Sequence, residues 1–128
     1  MDVRVNQETV NDAAKLMMHR LIARKLGRDP SLLDRAGISQ AKMAERFAER
    51  PFVREWDELL SAPAAELRTR LTSRDSDMVR LRTSSPFALA EGVDFTDYDL
   101  RLRIQRAARR VVERGLARRS QKPTTVAM

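Results

Sequence analysis

The chain has no cysteine, a single histidine, four glycines and only six aromatic residues among its 128. The missing cysteine excludes a disulfide framework, thiolate chemistry and any zinc site with sulfur ligands. It is compatible with a reducing compartment, and the cytoplasm is the expected location. With His19 alone, a metal site would have to be built mostly from carboxylates, and no metal or cofactor is expected. Four glycines leave little material for a phosphate-cradling loop, and neither a nucleophile elbow nor an HExxH helix occurs. Carboxylates such as Glu55, Asp57 and Glu58 stand beside arginines and read as solvated helix faces. The chain is therefore read as a non-enzymatic protein with no catalytic residue. No apolar run exceeds four residues, against the ~20 needed to span a bilayer. The first residues carry no secretory apolar segment, so no membrane association is expected.

What the chain does contain is charge and helical spacing. Hydrophobic residues make up 42%, enough for a modest core, while charged residues reach 34%, which implies a wide solvated surface. β-branched residues never cluster and no segment alternates for long, so the class is all-α. The expected architecture is a single irregular bundle of about six or seven helices over residues 1–119, followed by a flexible tail over 120–128. The net charge of +7 is unevenly placed. Residues 100–128 hold eight arginines and Lys122 against one acid, Glu113, a local charge of +8 that leaves the preceding 99 residues at −1. A near-neutral body with a long basic C-terminal helix is the main feature of the sequence.

Helix boundaries follow from local chemistry. Val10, Ala13, Met17 and Leu21 predict a first helix from Gln7 to Leu26, with Gly27 as its left-handed stop. Asp29-Pro30 predicts an N-cap and first turn for a short second helix ending at Gly37, and Ser39 predicts the cap of a third running to Glu49. Pro51 opens a helix carrying Phe52, Trp56, Leu59 and Leu60. Pro63 opens another with Leu67 and Leu71, and Asp75 caps a short one with Met78, Val79 and Leu81. Thr83-Ser84-Ser85-Pro86 predicts a break, and Phe87 to Phe95 an anchored loop. Thr96 with Asp99 predicts the start of a last helix to Arg118, whose apolar stripe is Leu100, Ile104, Ala107, Ala108, Val111 and Gly115.

Three groups of residues are candidates for function. Arg103, Arg106, Arg110 and Arg114 fall on one flank of the last helix, with Arg101 and Arg109 on neighbouring flanks. Exposed arginines at this spacing can neutralise phosphates with release of counterions, or hold carboxylates in two-pronged hydrogen bonds, so a nucleic acid and an acidic protein are both served; the remaining alternative is an arginine-rich helix that is simply solvated. Phe52 and Trp56 form an apolar patch, read either as core or as anchors in a partner's groove. The run Gly37–Phe47 resembles the first half of a helix-turn-helix. Glu49, Glu55, Asp57 and Glu58 in the following segment would repel phosphate where a recognition helix needs donors. His19 is expected to be an ordinary surface or half-buried histidine. A homodimer is a further possibility, since symmetric dimers are the commonest oligomers.

Several short stretches together resemble the small antitoxins of bacterial toxin–antitoxin pairs. They are His19-Arg20-Leu21, Arg28-Asp29-Pro30-Ser31-Leu32-Leu33, Trp56-Asp57-Glu58-Leu59-Leu60 with Pro63, and Leu81-Arg82 followed by Ser84-Ser85-Pro86-Phe87-Ala88. The resemblance covers residues 10 to 90 in patches. It implies a non-enzymatic protein that folds against a toxin and masks its active site, and such proteins often bind their own promoter as well. It further implies that Trp56 and the Met43–Phe47 face are buried in the partner.

Overall fold

The computed structural model of the chain describes residues 5–90 and 97–121, and all regular structure among them is helical. Helix α1 spans Gln7–Arg28. The Asn6 side chain accepts a hydrogen bond from the Glu8 N–H at 2.8 Å, which satisfies one of the orphan donors of the first turn. Gly27 does not end α1. The helix runs one residue further and stops where Pro30 drives the residue before it, Asp29, out of the helical region (φ −135°, ψ 85°).

Helix α2 spans Leu32–Phe47 and replaces the two short helices expected there. Ser31, not the expected Asp29, holds the N-cap position, and Asp29 just before it accepts from the Ser31 N–H at 3.2 Å, the Ser31 hydroxyl at 2.5 Å and Arg35 at 2.8 Å. Those bonds, Ser31's foremost, hold the Asp29 carboxyl down at about 2. Leu32, Ala36 and Gln40 are its buried residues, one turn apart. That stripe passes straight through Gly37 and Ser39, so a break between them would sever the buried face.

Helix α3 spans Pro51–Leu60, α4 Ala64–Leu71 and α5 Ser76–Leu81. The two prolines start their helices as expected, and Asp75 caps α5 by accepting from the Met78 N–H at 2.9 Å. Two 3-10 turns follow, Arg82–Ser84 and Pro86–Leu89, the second capped by the Ser85 hydroxyl. Helix α6 spans Tyr98–Gln121. Its first turn is capped by Asp97, which accepts from Asp99 N–H at 2.9 Å and Leu100 N–H at 3.2 Å. Thr96, the expected cap, lies outside the described residues, as do Gly92, Phe95 and residues 122–128. Residues 120 and 121, expected in the tail, belong to α6.

The interior divides into two clusters. The larger gathers side chains from α1 to the second 3-10 turn around Trp56, which is 0% exposed. Phe87 packs against it edge-on at 6.3 Å, and the indole N–H donates to the Leu81 carbonyl at 3.1 Å and the Ser84 hydroxyl at 3.3 Å. Removing a ring of this size from water is worth on the order of 5 kcal/mol. Gln40 ties α2 to α3, donating to the Val53 carbonyl at 2.8 Å and Asp57 at 3.1 Å. The smaller cluster joins α1 to α6 through Val10, Ala14, Ile104 and Ala108.

Candidate functional site

Antiparallel pairing of α1 with α6 positions the arginine face. Leu21 and Arg24 of α1 line one groove with Leu100 and Arg103 of α6, while further along Arg109 donates to the Gln7 side chain at 2.8 Å. Rising numbers along one helix therefore meet falling numbers along the other. Leu100, Ile104 and Ala108 turn inward at one-turn spacing, which leaves Arg103, Arg106, Arg110 and Arg114 exposed on the flank beside them. Arg101 and Arg109 are exposed as well. Among the described residues, none of Arg101, Arg103, Arg106, Arg109, Arg110 and Arg114 meets a carboxylate within ion-pair distance. The ion pairs formed there are Arg35 with Asp29, and Arg80 with Glu55 and Asp77. Val111, expected on the inner stripe, is 51% exposed, and Val112 packs on the cluster instead.

Arg20 and Arg24 join this face from α1, a contribution that the sequence reading missed. They border a groove whose apolar floor is Met17, Leu21, Leu100, Ile104 and Ala107, with Arg103 on the opposite rim. The groove has a volume of about 330 Å³ and is open to solvent. Leu21 is 41% exposed in it. A repeat of arginines four apart on α1, at 20, 24 and 28, was visible in the sequence. That it would lie against α6 was not.

The apolar candidates are placed differently. Trp56 is a core residue with its polar atom satisfied, so it offers no surface to a partner. Phe52 is half-buried, packed against the main cluster and 6.0 Å from the Phe47 ring. Phe47 itself is 38% exposed, with the Arg46 guanidinium 5.6 Å above its ring, and borders a shallow recess with Met43 and Lys42. The Trp56 side chain is thus buried within the chain itself, not against another protein. The Gly37–Phe47 run forms the second half of α2 and does not begin a helix of its own.

His19 is fully buried, not half-exposed. Its Nδ1–H donates to the Lys15 carbonyl at 2.7 Å, and its Nε2 has no hydrogen-bond partner among the described residues. Burial foremost, with the positive Arg82 nearby, pulls its pKa down to about 4, so the ring is neutral at physiological pH. Arg82 is buried too and is held by backbone, donating to the carbonyls of Leu71 at 3.1 Å and Ser73 at 2.7 Å. Its own pKa is lowered, chiefly by burial. The His19 bond lies within α1, and the Arg82 bonds tie the 3-10 turn after α5 to the end of α4. A second, acidic recess is lined by Glu55, Glu58, Glu66 and Asp77, with Arg70 at its edge. Arg80 neutralises part of it and lowers the Glu55 pKa. Among the described residues no cluster of three or more potential ligands is placed to hold a metal, and no helix is long and apolar enough to cross a membrane.

The fold and the surface together define an all-helical chain with one outward-facing arginine-rich side. Compared with protein-family models, curated proteins and solved structures, the chain matches none of them.

Proposed function

We propose that this chain is a non-enzymatic binding protein that holds an acidic protein partner on its α1–α6 face, in the manner of a small antitoxin masking its toxin. In this reading α1 to α5 form an irregular bundle, and α6 is a long basic helix attached to it. The observation that carries the reading is the set of exposed arginines Arg103, Arg106, Arg110 and Arg114 continuous with Arg20 and Arg24 of α1. Arginine suits such a face because its planar fork binds carboxylates in pairs of hydrogen bonds. Exposed arginines that meet no carboxylate among the described residues gain from carboxylates on a partner.

A second reading, binding to duplex nucleic acid, is favoured by one feature. Arg110 and Arg114 lie beyond the point where Arg109 meets Gln7, close to the N-terminal end of α1, and can follow a phosphate backbone. One titration separates the two. Fluorescence anisotropy is measured at graded salt with poly-glutamate and with a random-sequence duplex DNA, on the native chain and on the variant Arg103→Glu, Arg106→Glu, Arg110→Glu, Arg114→Glu. The protein-partner reading expects poly-glutamate to bind, to weaken with salt and to be lost in the variant while the helical circular dichroism is kept. Unchanged binding by the variant refutes both readings, and a stronger, steeply salt-dependent affinity for the duplex hands the function to nucleic acid.

A further inference from the structure

We propose that the open groove between α1 and α6 is the docking site for an acidic amphipathic helix of the partner. The inference rests on the reading that the partner is an acidic protein, and it goes further by naming the part of the partner that binds and where it binds.

The groove combines two properties that a simple charged surface lacks. Its floor is apolar: Met17 and Leu21 from α1, Leu100, Ile104 and Ala107 from α6. Its rims are cationic on both sides, with Arg20 and Arg24 along one helix and Arg103 along the other. Among the described residues no acidic side chain lines it. Two antiparallel helices in contact leave a furrow along their length, and a third helix laid there buries one stripe of side chains between them. An incoming helix with apolar residues at i, i+3, i+4 and i+7 would cover the floor, which is otherwise wetted. Glu or Asp on the two borders of that stripe would meet the arginine rims. A phosphate backbone would satisfy the arginines but leave Leu21 and Met17 uncovered, so the floor favours a polypeptide. A second copy of α6 is a poor occupant, because Glu113 is its only acid after Asp99.

The experiment is a selection from a displayed library of random peptides of about 16 residues, roughly 24 Å of helix, against the native chain. Anisotropy titrations of the enriched peptides and of poly-glutamate follow, on the native chain and three variants. Leu21→Glu places a like charge in the floor, Leu21→Ser removes the apolar contact with less risk to α1, and Ile38→Glu adds the same charge on α2, where Ile38 is 59% exposed. The expected peptides carry acids flanking an apolar stripe with helical period. They should bind Leu21→Glu and Leu21→Ser at least about tenfold more weakly and Ile38→Glu as the native chain. Enriched peptides that are acidic but unpatterned, or that bind both Leu21 variants as well as they bind the native chain, would overturn the groove while leaving the arginine reading intact. Loss of poly-glutamate binding in Leu21→Ser would also overturn it, because a merely electrostatic ligand should ignore the floor. Self-association of the native chain in sedimentation that is abolished by Leu21→Ser would replace the partner helix by a second copy.

Discussion

Around Trp56 the interior is made of large side chains, with Phe87, Leu67, Leu71 and Met78 gathered about the indole from three different elements. Between α1 and α6 it is made of small ones, Ala14 and Ala108, flanked by Val10 and Ile104. The first arrangement fills space that several helices enclose. The second lets two backbones come close and leaves the edges of the contact open. Among the described residues α6 packs chiefly on α1, whereas α1 also packs on α2, on α4 and on the turn after α5. One region is held from all sides and the other from one. The difference explains why the exposed arginines lie along α6: a helix docked chiefly on one neighbour keeps most of its circumference open.

The widest test of this contrast is Trp56→Ala. It should cost about 3–5 kcal/mol, since a cavity replaces the ring and the Leu81 carbonyl loses its donor. Urea unfolding followed by far-ultraviolet circular dichroism measures it. If the seam between α1 and α6 is the less essential cluster, Ile104→Ala, a residue buried there, should cost clearly less; equal losses would erase the distinction between the two regions.

Acid provides the next largest effect, and it acts on the main region through α1. The folded state holds His19 at about 4, below its ordinary 6.5. As pH falls through 6.5 the unfolded chain takes up a proton that the native chain refuses. Stability carried by the neutral ring is therefore complete above that value and lost progressively down to about pH 4. The full shift corresponds to about 3 kcal/mol. Urea midpoints at neutral and at mildly acidic pH should differ accordingly, and the difference should shrink in His19→Gln, which does not titrate. Arg82→Met should raise the His19 pKa only slightly in NMR titration, because burial is the larger cause and remains.

Ala108→Leu probes the seam in the opposite direction. Three added carbons between closely spaced backbones should cost about 1–3 kcal/mol of α6 docking. The loss should show as faster amide exchange confined to α6 and the N-terminal half of α1. Trp56 fluorescence should then unfold at nearly the native midpoint; a large shift of that midpoint would mean that the two clusters fold as one.

Element ends announced by proline or by a capping acid were legible: Pro51, Pro63 and Asp75 start helices where the sequence placed them, and Asp29-Pro30 marks the turn just before α2. These signals are local, fixed by a missing N–H or a side chain that bonds two or three residues ahead. Glycine misled, because a helix tolerates it when the neighbours pack. The stripe Leu32–Ala36–Gln40 was the better guide to α2, and it outweighed the pause suggested by Gly37 and Ser39. The arginine flank of α6 could be read from spacing alone. Its companions Arg20 and Arg24 could not, since their placement depends on which face of α1 meets α6. Trp56 and Phe52 were conspicuous as an apolar patch, but composition does not tell an inner patch from an outer one, and the structure turns Trp56 wholly inward.

The smallest effect comes from those same glycines, which differ from one another as the two regions do. Gly37 lies within α2, exposed, and a Cβ built there meets nothing within 4 Å. Alanine at this position restricts the unfolded chain and favours the helix without touching anything, so Gly37→Ala should stabilise by about 0.5–1 kcal/mol. At Gly27, near the end of α1, a Cβ would come within 2.8 Å of the Arg68 guanidinium. The obstacle is the mobile end of a long side chain, so it can give way, but Arg68 must leave its place over α1 and offset part of the helical gain. Gly27→Ala should therefore raise the urea midpoint less than Gly37→Ala. If both glycines respond alike, Arg68 contributes nothing by resting there; if Gly37→Ala destabilises, that exposed turn of α2 touches something in solution, and an interface on α2 would have to be added to the one proposed on α6.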